Sequence, residues 1–349
     1  MKFKTIFSLL FAIFIYSAAA LECQQIADNL IKAGGFADIP AGATAPVAIP
    51  PRYNCTYEIK VPLSLYAHVK LENFLKGQND QITVTDALGK RNIVTSRNYP
   101  LLNFYVFSGT TTTFQVTTKS VDVGSKFQIT VLYEKMPDAE ISKIGSDLKY
   151  FFLKDLHVPS HSKPQNIITG DNDKVVLTTA HFQYAEDHLD NYYIIDGTFT
   201  NNNGLYHLSD YTNSNFVSTG NNLTIVGIDK EYEISTVILS NLSETQQFQS
   251  FTGVTPFYEI QGVQIDSLNT TSAVTVIGDN KKNVMIRPLQ YLSNQSDCSI
   301  KAVESPATRN STVILDFADI PIFPWTLEEK YFTIVVKNCK VIITLTSDT

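Results

Sequence analysis

Apolar and polar residues alternate with a period of two along much of this chain. Thr56–Val61, Leu65–Phe74, Thr112–Thr118, Lys126–Glu134, Leu223–Val226, Ile234–Leu239, Thr312–Phe317 and Tyr331–Val336 all carry the pattern, with turn residues between them. A strand sends successive side chains to opposite faces, so this period predicts an all-β protein of antiparallel β-sandwiches. A helix is expected only at Gln24–Lys32, where Ile26 and Leu30 share a face and Gly34-Gly35 would end it.

One phrase is written twice. Residues 80–87 (DQITVTDA) and 190–197 (DNYYIIDG) share the order Asp, any, apolar or aromatic, any, apolar, any, Asp, small residue, at an offset of 110. Ser108 and Ser218 follow at the same offset, each opening a turn. A period this long suits a duplicated domain rather than a solenoid unit. Met136-Pro137-Asp138 breaks the strand pattern, and residues 240–257 are polar, with Gly253 and Pro256. The expected organisation is a leader at 1–20, one sandwich at 21–135, a divergent copy at 148–240 and a third β-rich unit at 257–349.

The leader carries the pattern of a secretory signal. Lys2 and Lys4 precede an apolar stretch, Ile6 to Tyr16, and Ala18-Ala19-Ala20 is a small-residue cleavage site. The apolar stretch is too short to span a bilayer, and no later run approaches the required length. The chain ends in Thr-Ser-Asp-Thr, without the apolar tail of a lipid-anchor signal. The expectation is a soluble, secreted, extracellular product with no membrane insertion. Loss of the two leader lysines moves the net charge from −7 to −9. That acidity argues against nucleic acid or anionic lipid as partner.

Secretion changes the reading of the cysteines. Cys23, Cys55, Cys298 and Cys339 allow three connectivities. Pairing within each expected domain, Cys23 with Cys55 and Cys298 with Cys339, is favoured in an oxidising compartment. Asn-x-Ser/Thr acceptor sites stand at Asn54, Asn222, Asn241, Asn269, Asn294 and Asn310. A secreted chain with these sites is expected to be a glycoprotein, its glycans concentrated beyond residue 220.

The residues resemble the CUB family, and more closely the CUB-like secreted proteins of nematodes. Cys23 is followed by Cys55-Thr56-Tyr57-Glu58-Ile59-Lys60-Val61-Pro62, then by Asn79-Asp80 to Asp86-Ala87, then by Gly124-Ser125-Lys126-Phe127 with Tyr133. In the second copy Tyr192-Tyr193-Ile194-Ile195-Asp196-Gly197 and Ser218-Thr219-Gly220-Asn221-Asn222-Leu223-Thr224-Ile225 fit the family's strands. The chain departs from the family in three places. The first copy lacks a second disulfide, the second has no cysteine, and Ala87 replaces the usual Gly. The resemblance implies a jelly-roll-type sandwich and a non-enzymatic module for extracellular recognition of proteins or glycans. For the nematode group it implies a part in innate immunity against pathogens, with microbial surfaces among the partners.

No cofactor is expected from the residues; calcium is the one candidate the resemblance raises. Some CUB modules hold Ca²⁺ with one Glu and two Asp, and a basic partner side chain docks there. Ca²⁺ takes six to eight oxygen ligands, so carboxylates must be joined by carbonyls or water. The matching residues in the second copy are Glu186, Asp190 and Asp229; the first copy keeps Asp80, with Asp122 as a rough third, but has Lys76 in place of the Glu. A strand-end role for Asp190 and Asp196 is the competing reading.

Other chemistry is poorly supported. His157 and His161 are spaced like a helical zinc pair, but Pro159 lies between them and no His-Glu-x-x-His occurs. No Gly-x-Ser-x-Gly elbow and no phosphate-binding glycine loop occurs. The aromatic clusters Tyr150-Phe151-Phe152, Tyr192-Tyr193 and Phe323-Pro324-Trp325 read as packing, with sugar stacking as the alternative. Two other functions compete with recognition: a structural or matrix protein of an epithelial surface, and a secreted hydrolase with its chemistry in the third unit.

Overall fold

The computed structural model describes residues 21–120, 124–180, 186–228, 235–256, 261–278, 283–308, 310–320 and 322–347; side chains are described throughout except at 160, 186–188, 294 and 295. The protein is nearly all β. Its contacts divide it into two compact units, one ending at Met136 and the other beginning at Pro137.

In the first unit the strands are β1 (Phe36–Ile39), β2 (Val47–Ala48), β3 (Asn54–Lys60), β4 (Leu65–Phe74), β5 (Gln81–Thr85), β6 (Arg91–Val94), β7 (Leu101–Val106), β8 (Thr111–Thr117) and β9 (Lys126–Lys135). One sheet has the order β1-β9-β4-β7, with β2 beside β9, and the other β3-β8-β5-β6. All the pairings are antiparallel. Alternation decides which face is buried. Ala67, Val69 and Leu71 from one sheet meet Tyr57, Ile82 and Phe114 from the other in a single core.

The second unit opens with β10 (Glu140–Lys143), β11 (Lys149–Phe152), β12 (Gln165–Ile168), β13 (Val175–Ala180), β14 (Tyr192–Gly197), β15 (Asn202–His207), β16 (Phe216–Val217), β17 (Asn222–Gly227) and β18 (Thr236–Asn241). The sheets run β10-β12-β17-β14-β15 and β11-β18-β13-β16. Moved by about 110 residues, β3-β8-β5-β6 becomes β12-β17-β14-β15, and β1-β9-β4-β7 becomes β11-β18-β13-β16. The written repeat is therefore a repeated sandwich.

The two repeated serines do the same work. Ser108 Oγ accepts from the Ser64 N–H at 3.0 Å, and Ser218 Oγ accepts from the Val175 N–H at 2.9 Å. Each holds the start of the first long strand of its own sandwich. Ala87 also has a physical explanation. Gly197 sits at φ 112°, where a Cβ would come within 2.4 Å of the Asn201 carbonyl oxygen. In the first copy the left-handed residue is Gly89, at φ 88°, so position 87 tolerates a side chain.

The remaining strands are β19 (Phe251–Val254), β20 (Gln261–Asp266), β21 (Thr271–Ile277), β22 (Val284–Ile286), β23 (Gln290–Val303), β24 (Val313–Asp316), β25 (Trp325–Leu327) and β26 (Tyr331–Ser347). One long strand organises them. Residues 331–337 of β26 pair with β21, and residues 340–347 pair with β20 and β22. Between the halves Asn338 adopts φ 57° and β23 shifts register between Asn294 and Ser299. The Cys298–Cys339 disulfide spans this bend.

One expectation needs correction. The helix at Gln24–Lys32 is absent; only a 3₁₀ turn, Asp28–Leu30, forms there. The segment is held to the edge of β3 instead. Gln25 Nε2 donates to the Thr56 carbonyl at 3.0 Å, its Oε1 accepts from the Glu58 N–H at 2.8 Å, and Cys23 is bonded to Cys55. The contacts group Pro137–Thr349 into one compact unit, with the stretch 240–257 inside it. Strands β13, β14, β17 and β18 of the second sandwich are buried on both faces, with every residue of β13 and β14 buried. Leu148, Ala180, Ile238 and Ile277 form one cluster, packed by Tyr150, Phe152 and Tyr331, which joins the second sandwich to the C-terminal strands.

Candidate functional site

Asp80, at the end of the first sandwich, sits in a closed hydrogen-bond network. Asp80 is 1% exposed. Its Oδ1 accepts from the Lys119 N–H at 3.0 Å, the Ser120 N–H at 3.1 Å and Ser120 Oγ at 2.9 Å; its Oδ2 accepts from Ser125 Oγ at 2.7 Å. Ser125 Oγ in turn accepts from the Lys76 N–H at 2.9 Å. Gly77 makes room for this arrangement, because a Cβ there would stand 1.9 Å from Ser120 Oγ. Burial by itself would raise the Asp80 pKa. The donors from Ser125, Ser120 and Lys119 outweigh it and hold the carboxyl below its ordinary value of 3.8.

A depressed native pKa adds stability that is complete above the unfolded value and disappears as pH falls through the native one. Asp80→Asn is therefore expected to lower stability at neutral pH and to flatten the acid limb of the stability curve below about pH 4. Urea midpoints across pH 2–7 would check this. A variant with the parent's full acid dependence would show that another group carries it.

Of the second copy's three candidate calcium ligands, only Asp190 has a described side chain. Asp190 lies in the 3₁₀ segment Glu186–Asn191 and its Oδ1 accepts from Ser209 Oγ at 2.6 Å. The Glu186 side chain lies outside the described residues, as do Asp229 and, in the first copy, Asp122. Among the described residues no group of three or more His, Cys, Asp and Glu is placed to hold a metal ion. Asp196 is 1% exposed and accepts from the Thr219 N–H at 2.9 Å. His157 and His161 do not form a pair: His157 is buried and hydrogen-bonded to the Tyr192 hydroxyl, whereas His161 is exposed in a left-handed turn.

The asparagines of the six Asn-x-Ser/Thr sequences differ in setting. Asn54, Asn269 and Asn310 are exposed. Asn222 is half-buried at the start of β17. Asn241 is half-buried; it accepts from Thr169 Oγ1, and its Nδ2 donates to Glu244 Oε1 at 3.2 Å. Asn294 lies opposite Cys339 in the β23–β26 pairing, with its side chain outside the described residues.

One concavity of the second unit was not foreseen from the sequence. It is a groove of about 630 Å³ in the second unit, bounded by β13, the loop before β16, the α-helical turn Leu242–Thr245, β19 and β20. One wall is braced by Asn215, which accepts from Thr178 Oγ1 at 2.9 Å and donates to the Phe251 carbonyl at 3.0 Å. The Phe248 and Phe251 rings stack beside it, with centroids 6.2 Å apart and planes 27° apart. No motif announces this groove, because its residues come from stretches spread over 176–264.

Residues 18–137 match the family model of the CUB-like domain. That match places a CUB-like domain in the first unit, a module type associated with extracellular binding and in general without catalytic activity. Two solved structures similar to the chain are the CUB1-EGF-CUB2 region of human MASP-1/3 and that of rat MASP-1. The human structure is 8% identical, with 90% of this chain and 99% of that one covered and a TM-score of 0.23. The rat structure is 9% identical, with 89% and 97% covered and a TM-score of 0.25. No curated protein sequence matches the chain.

Proposed function

We propose that this protein is a secreted glycoprotein that recognises proteins or glycans outside the cell, with microbial surfaces among its targets and innate defence as its setting. The observation that carries this reading is the CUB-like match over residues 18–137. Two disulfides support an extracellular location. Among the described residues no helix is long and apolar enough to cross a membrane. The calcium part of the reading rests on Glu186, Asp190 and Asp229 and is separable from the rest.

The test is a pull-down of the purified protein with bacterial and fungal cells and with a panel of surface glycans, each with and without EDTA. Saturable binding is expected. Loss of binding in EDTA supports calcium-assisted recognition at the second copy. Binding that EDTA leaves intact keeps the recognition role and removes the metal. Absence of binding to every target would overturn the microbial reading.

A further inference from the structure

We propose that the groove beside β13, β19 and β20 is a binding site for a neutral oligosaccharide. The proposal rests on the recognition reading above and assigns one ligand class to one site. It starts from an absence of charge. Asp, Glu, Lys and Arg make up 17% of the chain, yet none of the described residues lining the groove is charged. Its polar side chains are all hydroxyls and carboxamides, from Thr, Ser, Asn and Gln. Phosphates, sulfated chains and strongly charged peptides are held by opposite formal charge, which this groove does not offer. A sugar is an array of hydroxyls, each both donor and acceptor. Carboxamides and hydroxyls supply both roles without the desolvation cost of an ion.

The arrangement also suits the shape of a sugar. A pyranose ring has apolar C–H faces and a hydroxyl rim. Phe248, half-buried and backed by the buried Phe251 ring, provides aromatic surface at the groove, and Val217, 41% exposed, adds aliphatic surface. The Thr178–Asn215–Phe251 bonds join β13, the loop before β16 and β19, so this wall is in place before any ligand arrives. Gln246 and Gln264 are exposed at the groove, and their amides have no hydrogen-bond partner among the described residues. Thr179 also lines the groove; it is 5% exposed, and its hydroxyl has no partner among the described residues. A volume of about 630 Å³ lies within the range of small-ligand sites, roughly 300–1,000 Å³.

The experiment uses the full secreted chain on an array of neutral glycans, including chitin, β-glucan, mannan and galactan oligosaccharides, beside sulfated and sialylated ones. Affinities for the hits are then measured by calorimetry. Neutral glycans are expected to bind in preference to the charged ones. The Gln246→Ala/Gln264→Ala double variant is expected to keep the parent's unfolding midpoint and to lose about tenfold or more in affinity. Thr252→Trp, at an exposed β19 position facing the groove, is an independent block and is expected to reduce binding similarly. Binding confined to charged glycans, no neutral glycan bound, or full affinity in both variants would each overturn the proposal. Cell binding that survives in the double variant would remove the groove and leave the recognition role standing. A parent protein that binds no cells while both variants lose neutral-glycan affinity would do the reverse.

Discussion

Phe127→Ala is expected to destabilise the first unit by about 3–5 kcal/mol, the usual cost of truncating a fully buried aromatic residue. Phe127 is 0% exposed on β9, and its ring centroid lies 6.0 Å from that of Tyr57 on β3, in the opposite sheet. It fills the space between the two layers, and neighbours on paired strands cannot collapse into the void without breaking sheet register. Phe127→Leu keeps most of the volume and is expected to cost under about 2 kcal/mol. Urea unfolding of the full chain, followed by probes specific to each unit, would measure both. A loss below about 1 kcal/mol for Phe127→Ala would contradict its place between the layers.

The second large effect concerns the N-terminal segment. The Cys23→Ser/Cys55→Ser double variant is expected to lose about 3–4 kcal/mol, from the chain entropy of a loop closed over 32 residues. Replacing both cysteines avoids a stray thiol. The effect should reach beyond Cys55, because the disulfide also holds Gln25 against the edge of β3. With that restraint gone, Thr56 and Glu58 return to water and residues 21–31 become accessible to protease. Unchanged urea midpoints together with unchanged proteolysis would show that the segment docks without the bond.

Particular residues show how far the sequence could be read. Alternation located the long strands, and Lys126–Glu134 became β9, one residue longer. The expected strand at Tyr331–Val336 is only the first part of β26, which runs on to Ser347. The β-branched run Val341–Thr344 carries the strand past Cys339, where it serves a second set of partners. Gln24–Lys32 carries a helical spacing of apolar residues, but a side chain already bonded along a sheet edge cannot also follow a helix. The strand Ile234–Leu239 appears as β18, Thr236–Asn241, and Ile234 lies outside the described residues. Val175–Ala180 and Thr236–Asn241 are buried on both faces, and the short apolar runs Val175-Val176-Leu177 and Val237-Ile238-Leu239 are the local sign of strands covered on both sides.

The chain's own pattern determined the β class, because a period of two has one efficient way to bury its apolar face. It determined the duplication as well, since a repeated phrase with a repeated serine requires a repeated fold. Tertiary structure alone decided that Asp80 is a clamp satisfied by Ser120 and Ser125, because those donors come from a distant loop. It alone joined the second sandwich to the C-terminal strands through the Leu148–Ile277 cluster. It also assembled the uncharged groove from residues separated by up to about ninety positions. Local preference acts over a few residues and is written in order along the chain. Burial, pairing partners and the walls of a site depend on which distant segments meet, and only the folded chain brings them together.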